Sequence, residues 1–166
     1  MNFGHKKLYI NGDLVDSKSG KKLEVICPAN EELIGSVAMA SGEDAKLALK
    51  SAKQGFLYWS KLSLVKRTEL INKLKDAIIL NEKKLRSAIT YEMGKPYAAS
   101  YEDFEALVNA LDWYPNAMKN LKDEMIPDYE NTHTHKLINQ PAGVVVAYLA
   151  WNFPLLNVAF KLGPAL

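Results

Sequence analysis

Hydrophobic and polar residues follow two different periodicities along the chain, and the first is the short alternation typical of strands. Leu8-Tyr9-Ile10 and Leu14-Val15 flank Asn11-Gly12. Asn-Gly is a strong hairpin signal because both residues tolerate positive φ. A second strand pair is predicted over Leu23–Cys27 and Leu33–Ala38, which are separated by a turn-forming sequence. The N-terminal segment is therefore predicted to form β-hairpins.

From Ser41 onward apolar residues recur every three or four positions, which predicts amphipathic helices with lysine-rich outer faces. Ser41 and Asp44 have the spacing of a capping box at a helix N-terminus. A longer helix is predicted to begin at Ser63 and to end at Gly94. Pro96 is predicted to open the next helix.

The pattern changes again in the last third of the chain. Ile126–Ile138 is rich in alternating and β-branched residues, which predicts one strand exposed on one side. Gly143–Leu149 is a continuous apolar run, typical of a buried parallel strand. Pro154 suits the first turn of a helix over Leu155–Leu162. The order of elements indicates an α/β fold. A buried parallel strand needs neighbours, and none is predicted after it, so the chain is interpreted as an interrupted α/β domain.

Composition narrows the class of protein. Hydrophobic residues make up 48% and charged residues 24%, as in a globular domain. A net charge of +2 with scattered lysines gives little support for nucleic-acid binding. The longest apolar run is too short to span a bilayer, and residues 1–7 lack the apolar run of a secretory signal, so neither a membrane span nor such a signal is expected. Cys27 is the only cysteine, so no internal disulfide can form and a cytoplasmic protein is expected. The charge and the apolar run lengths together predict no nucleic-acid or membrane partner.

The most specific motif lies near the end of the sequence. Pro141-Ala142-Gly143-Val144-Val145 is followed by Trp151-Asn152-Phe153-Pro154-Leu155 and then by Lys161-Leu162-Gly163-Pro164-Ala165-Leu166. This order resembles the aldehyde dehydrogenase signature P-x-G-V-V, P-W-N-F-P-L and K-x-x-P-A-L. Ile10-Asn11-Gly12 and Glu92-Met93-Gly94-Lys95-Pro96 also match in order, so the resemblance covers nearly the whole chain.

The resemblance implies a reaction and the residues that contribute to it. A cysteine thiolate attacks an aldehyde, hydride passes to NAD or NADP, and a glutamate-activated water hydrolyses the thioester. Asn152 is implied as a catalytic amide donor to the oxyanion, and Lys161 as the buried active-site lysine. The implied cofactor-binding residues are Leu149, Ala150, Trp151 and Asn152. The implied residues of the aldehyde channel are Phe153, Asn157 and Phe160.

The resemblance also implies a domain organisation within a Rossmann-type, aldehyde dehydrogenase-like fold. Residues 1–122 are expected to form hairpins and helices of the cofactor-binding domain, and residues 123–141 a strand arm for oligomerisation. Residues 142–166 are expected to form the first strand and helix of the nucleotide-binding sheet. A homo-oligomer, dimer or tetramer, is expected to act on a small aldehyde, with a semialdehyde suggested only by general similarity.

Two departures from the family pattern accompany the match. Ala150 stands where the family usually has proline, and Cys27 stands beside Pro28 where asparagine is more usual, so Cys27 is interpreted as structural. The catalytic cysteine, the general-base glutamate and the glycine-containing dinucleotide loop are expected beyond Leu166. The isolated chain is therefore expected to be inactive.

Each candidate residue also has a structural interpretation. Trp151 alone could be a core residue, Asn152 alone a helix cap, and Lys161 a solvent-facing helix residue. His133 and His135 could form a metal-binding pair, but zinc requires three or four protein ligands, so no metal site is predicted. The alternative function is a non-catalytic assembly or binding protein, derived from such an N-terminus, whose exposed strand pairs with a partner.

Overall fold

The computed structural model describes residues 1–166 and places five short strands before the helices. These strands are β1 His5–Lys6, β2 Leu8–Ile10, β3 Asp13–Val15, β4 Lys22–Ile26 and β5 Leu33–Ala38. The four helices that follow are α1 Gly42–Trp59, α2 Leu64–Leu80, α3 Glu82–Met93 and α4 Ser100–Met118. The last elements are β6 Glu124–Ile126, β7 His135–Leu137 and α5 Pro154–Ala165.

Both predicted N-terminal hairpins are confirmed. β2 and β3 pair antiparallel, and Asn11 and Gly12 between them have φ values of 56° and 88°. Left-handed φ at both central residues is what a tight hairpin turn requires. β4 pairs antiparallel with β5, and β5 also pairs in parallel with β1, which gives the sheet order β1-β5-β4.

The predicted caps begin the first two helices. Ser41 and Asp44 form the reciprocal capping box of α1, and the Ser63 side chain accepts a hydrogen bond from the Lys66 backbone N–H at the start of α2. Gly94 ends α3 in the left-handed conformation, with φ 79°. The local signals at these helix ends therefore agree with the structure.

Two helix boundaries differ from the prediction. The long helix predicted from Ser63 is divided at Asn81, whose side-chain amide donates to the Ala77 carbonyl at 2.8 Å and so competes with the helical backbone. The helix predicted to open at Pro96 begins at Ser100 instead. Pro96 opens a preceding turn, in which its carbonyl accepts from the Ser100 backbone N–H at 3.1 Å.

The main hydrophobic core lies where α5 and α2 pack against α4. Its buried apolar residues are Ile71, Leu107, Ala110, Leu111 and Ala159. Leu74 and Ile78 of α2, and Leu155, Val158 and Leu162 of α5, pack against this cluster. The core therefore fixes α5, and with it the end of the loop that carries the sequence motif. None of the helices is both long and apolar enough to cross a membrane.

The prediction of a buried strand over Gly143–Leu149 is wrong for this chain. The segment has no strand assignment, and Val145 and Val146 are each 61% exposed while Tyr148 is 89% exposed. A strand needs a hydrogen-bonded neighbour, and its burial needs cover on both faces. No segment of residues 1–166 pairs with this run, so its apolar side chains face outward.

The single strand predicted over Ile126–Ile138 is also wrong, because this region is a hairpin. β6 pairs antiparallel with β7, with Ile126 opposite His135. The turn between them is closed by the Asp128 carboxylate, which accepts from the backbone N–H groups of Thr132 at 2.8 Å and His133 at 2.6 Å. Asp side chains favour such local turns over continued strand. His133 therefore belongs to the turn.

Candidate functional site

The candidate site is built from the loop at residues 149–153 and from helix α5, which follows it. Asn152 is exposed, and Trp151 is 81% exposed. None of the backbone N–H groups of residues 149–152 donates to a backbone carbonyl of the chain. The loop thus presents an indole face, a side-chain amide and several backbone donors at the surface.

Asn157 connects the loop to α5. Its side-chain amide nitrogen donates to the Phe153 carbonyl at 2.9 Å and to the Ala150 carbonyl at 3.4 Å. The Asn157 backbone N–H also donates to the Phe153 carbonyl, which is the first hydrogen bond of the helix. The sequence predicted that Asn157 lines the aldehyde channel. In the structure its side chain holds the carbonyls of Ala150 and Phe153 against the N-terminus of α5.

The outer face of α5 carries the remaining candidates. Phe160 is 57% exposed. Lys161, implied by the resemblance to be buried, is instead exposed, because it lies on the helix face opposite Ala159 and Gly163, which are buried toward α4. Residues three or four positions apart share a helix face, so Asn157, Phe160 and Lys161 form one stripe. The fold therefore brings these three together and turns them away from the core.

Phe153 is half-buried, unlike the exposed residues 149–152, and a cation lies over its ring. The Lys95 ammonium is 3.6 Å from the ring centroid. Lys95 also forms a buried ion pair with Asp103, whose other carboxylate oxygen accepts from the Leu156 backbone N–H at 3.3 Å. The start of α5 is thus held by residues from the α3–α4 connection and from α4.

Sequence reasoning missed the contribution of Lys95 and Asp103. Lys95 belongs to the matched stretch Glu92–Pro96 but carried no specific role, and Asp103 has the appearance of an exposed acid in a first helical turn. Asp103 is instead fully buried. The only local signal was Phe153 at a helix start, because phenylalanine cannot accept a hydrogen bond as a cap.

The two main concavities of the molecule lie away from the loop. A concavity of about 430 Å³ lies along α1 beside Lys46, Lys50 and Lys53, and one of about 150 Å³ lies between β5 and α3. Neither includes a candidate residue. The loop itself offers an aromatic plane and neutral hydrogen-bond donors, which suit a ligand with a flat heterocycle and hydroxyl groups.

Sequence comparisons identify related proteins. The profile described as the aldehyde dehydrogenase family matches residues 14–166. The chain is 35% identical over 163 residues to D-glyceraldehyde dehydrogenase (NADP(+)) of Thermoplasma acidophilum, covering 96% of this chain and 32% of that protein. It is 30% identical over 161 residues to glutarate-semialdehyde dehydrogenase of Pseudomonas aeruginosa, covering 97% of this chain and 33% of that protein.

Solved structures of related enzymes superpose closely on this chain. An NADP-dependent enzyme of E. coli superposes with a TM-score of 0.93 at 26% identity, covering 97% of this chain and 34% of that one. A point mutant of Staphylococcus aureus betaine aldehyde dehydrogenase, in complex with NAD+, superposes with a TM-score of 0.89 at 28% identity, covering 96% and 32%. The chain therefore spans about a third of the length of the relatives it matches.

Proposed function

The chain belongs to the aldehyde dehydrogenase family, and we propose that it supplies the N-terminal part of an enzyme that oxidises an aldehyde to a carboxylic acid with NAD or NADP. The observation that carries the proposal is the family match over residues 14–166, which includes the exposed Trp151-Asn152 loop. A semialdehyde is the proposed substrate class, because glutarate- and succinate-semialdehyde dehydrogenases are among the relatives.

Asn152 is proposed as the donor to the developing oxyanion. When a thiolate adds to an aldehyde carbonyl, negative charge builds on the oxygen, and a preorganised amide N–H stabilises that charge. The exposed Asn152 amide has the chemistry this step needs. The nucleophile belongs to another part of the protein, since Cys27 is only 3% exposed and lies beside a hairpin turn.

Residues 149–152 are proposed to contact the nicotinamide-ribose side of the cofactor. When bound, NAD or NADP accepts hydride from the substrate carbon. The exposed Trp151 indole can pack against a flat ring, and the Asn152 amide and the free backbone N–H groups at Leu149 and Ala150 can bind hydroxyl or carbonyl oxygens. The donor set of the loop thus fits a dinucleotide.

The stripe on α5 is proposed to line the path of the aldehyde. Phe153 and Phe160 would contribute apolar surface, and Asn157 would keep the loop carbonyls in place while contributing to the wall. Lys161 is proposed as a catalytic cation, because it lies on the same helix face and its ammonium would stabilise negative charge near the reacting carbonyl.

We propose the domain organisation expected from the sequence, with residues 1–122 in the cofactor-binding domain, 123–141 as the oligomerisation arm and 142–166 at the start of the nucleotide-binding sheet. The exposed apolar run at Val144–Leu149 would acquire its strand neighbours from the remainder of the enzyme. The lone buried cysteine supports a reducing compartment such as the cytoplasm.

The competing candidate is a non-catalytic assembly protein, favoured by the two outer edges of the β6–β7 hairpin, which pair with no other strand of the chain. The discriminating observation is the coding sequence after Leu166. A glycine-containing loop, a glutamate and a cysteine encoded there would support the enzyme, and a stop codon at that point would favour the assembly protein.

The catalytic role of Asn152 is tested by Asn152→Ala in the full-length enzyme. We expect kcat and kcat/KM to fall together by roughly 10²–10³, since an oxyanion donor acts mainly in the transition state. Asn120→Ala is the matched control, because Asn120 is an exposed asparagine away from the loop. A near-normal kcat with a raised KM would assign Asn152 to ground-state binding and contradict the proposal.

A further inference from the structure

An ion pair shielded from solvent lies next to the candidate loop. The Asp103 side chain is 0% exposed and the Lys95 side chain is 10% exposed, and their carboxylate and ammonium form an ion pair. Asp103 lies in the first turn of α4, and Lys95 follows the left-handed Gly94 that ends α3. Removing both charges from water costs about as much free energy as their attraction returns, so a buried ion pair adds little net stability. A contribution to stability therefore does not account for a buried pair at this position.

Helix α5 begins without a cap of its own. Phe153 stands at the N-cap and makes no side-chain hydrogen bond, while Pro154 has no backbone N–H. The Leu156 backbone N–H is one of the groups that a helix N-terminus leaves unpaired. Asp103 Oδ1 accepts from it at 3.3 Å, so an acid on α4 supplies the acceptor that the α5 sequence lacks.

The ammonium of the same pair contacts the residue beside Asn152. Lys95 Nζ lies 3.6 Å from the centroid of the Phe153 ring, a cation–π contact in a site that is largely desolvated. The pair therefore touches the chain at Phe153 and at Leu156. These two contacts bracket the start of α5, shortly after Ala150, which stands in place of the proline usual in the family.

We propose that Lys95 and Asp103 are positioning residues that hold the Asn152 amide in its working orientation. The inference depends on the proposed role of Asn152. Neither residue touches substrate: Asp103 acts through the Leu156 N–H, and Lys95 acts through the Phe153 ring. Loss of either contact frees the loop to rotate about the helix start, and a misplaced donor stabilises the transition state less than a fixed one.

The test uses Lys95→Met and Asp103→Asn in the full-length enzyme, with hydrogen exchange of residues 150–158 and steady-state kinetics as separate readouts. We expect roughly tenfold faster exchange of the Leu156 amide, the size expected for loss of a hydrogen bond to a charged group. We expect kcat to fall by a similar factor with the cofactor KM unchanged. Lys75→Met is the matched control. Lys75 also pairs with an aspartate of α4, Asp112, but that carboxylate is 61% exposed and lies away from the loop.

A double variant separates positioning from a structural role. Lys95→Met should lower kcat in the native background and leave it unchanged in an Asn152→Ala background, because the two residues act through one amide. If Asp103→Asn fails to fold, Lys95→Met and Phe153→Leu carry the test, since neither removes the buried carboxylate. Unchanged exchange over residues 150–158 in folded Lys95→Met, or a kcat loss that multiplies with that of Asn152→Ala, would overturn the inference.

The exchange readout is independent of enzymatic activity. If Asn152→Ala alone leaves kcat normal, the proposed role of Asn152 fails, while the exchange result still decides whether the pair holds the loop.

Discussion

Gly163 of α5 lies directly against the ring of Tyr114 on α4, so that a Cβ added at Gly163 would be only 2.5 Å from Tyr114 Cδ2. The Tyr114 ring also makes an edge-to-face contact with Trp113, with ring centroids 4.8 Å apart. A side chain at position 163 would therefore push the two helices apart. Close packing of α5, and hence the position of the candidate loop, depends on this glycine.

The first prediction is that Gly163→Ala lowers the free energy of unfolding by about 1–3 kcal/mol, the usual effect of overpacking a filled core. Gly55→Ala in α1 is the matched control, because no heavy atom lies within 4 Å of an added Cβ there. Because alanine favours the helix more than glycine does, Gly55→Ala should raise the free energy of unfolding by up to about 1 kcal/mol. Urea denaturation of both variants checks this, and equal stability of the two would contradict the packing argument.

The second prediction concerns acid stability. Hydrogen bonds from the Ser41 backbone N–H and hydroxyl, with smaller effects from Ser17 and Lys18, lower the pKa of Asp44 from 3.8 to about 2. A pKa that is lower in the folded state means that the stabilisation is present above about 3.8 and is lost as the pH falls toward 2. Asp44→Asn should therefore flatten the decline of unfolding free energy over this pH range.

The measurement for Asp44 is chemical denaturation of native protein and variant at several pH values between neutral and about 2. Asp76→Asn controls for the loss of one negative charge at an exposed helical position. A decline of the same steepness in Asp44→Asn and native protein would show that the capping carboxylate does not contribute to acid unfolding.

The third prediction is that isolated residues 1–166 do not oxidise aldehydes. The chain's one thiol, Cys27, is buried, so no accessible thiolate can attack a carbonyl. The assay is reduction of NAD or NADP by rigorously purified chain with a panel of aldehydes, including semialdehydes, and with the full-length enzyme as the positive control. Measurable turnover by the isolated chain would refute the prediction.

The fourth prediction is that the chain forms a dimer or higher oligomer. The β6–β7 hairpin has two unpaired outer edges, and Met125, Ile126, Leu137 and Ile138 on it are each at least half exposed. Unpaired edges with apolar side chains promote association. Light scattering at increasing concentration measures the oligomeric state, and Leu137→Lys should weaken association. A clean monomer of the native chain at high concentration would contradict it.

Much of the local structure follows directly from the sequence. Asn11-Gly12, the Ser41–Asp44 capping box and Gly94 each encode their turn or helix end within a few residues, because the required φ values and hydrogen bonds are local. The family and the α/β fold class, both predicted from the sequence, are confirmed by the family match and by the superposition on solved structures. A motif with several residues at set spacings, such as Trp151 to Leu155, is readable without knowing what packs against it.

Tertiary structure alone decided which side chains are buried and which segments pair. Apolar composition predicted a strand at Gly143–Leu149, but strand formation depends on a neighbour, and the run is exposed here. Asp103 reads as a surface acid, yet its burial follows from α5 lying across α4. Asp103 and Leu156 lie 53 positions apart, so the hydrogen bond between them, and the burial of the ion pair beside it, depend on how α5 packs on α4 and not on any local pattern.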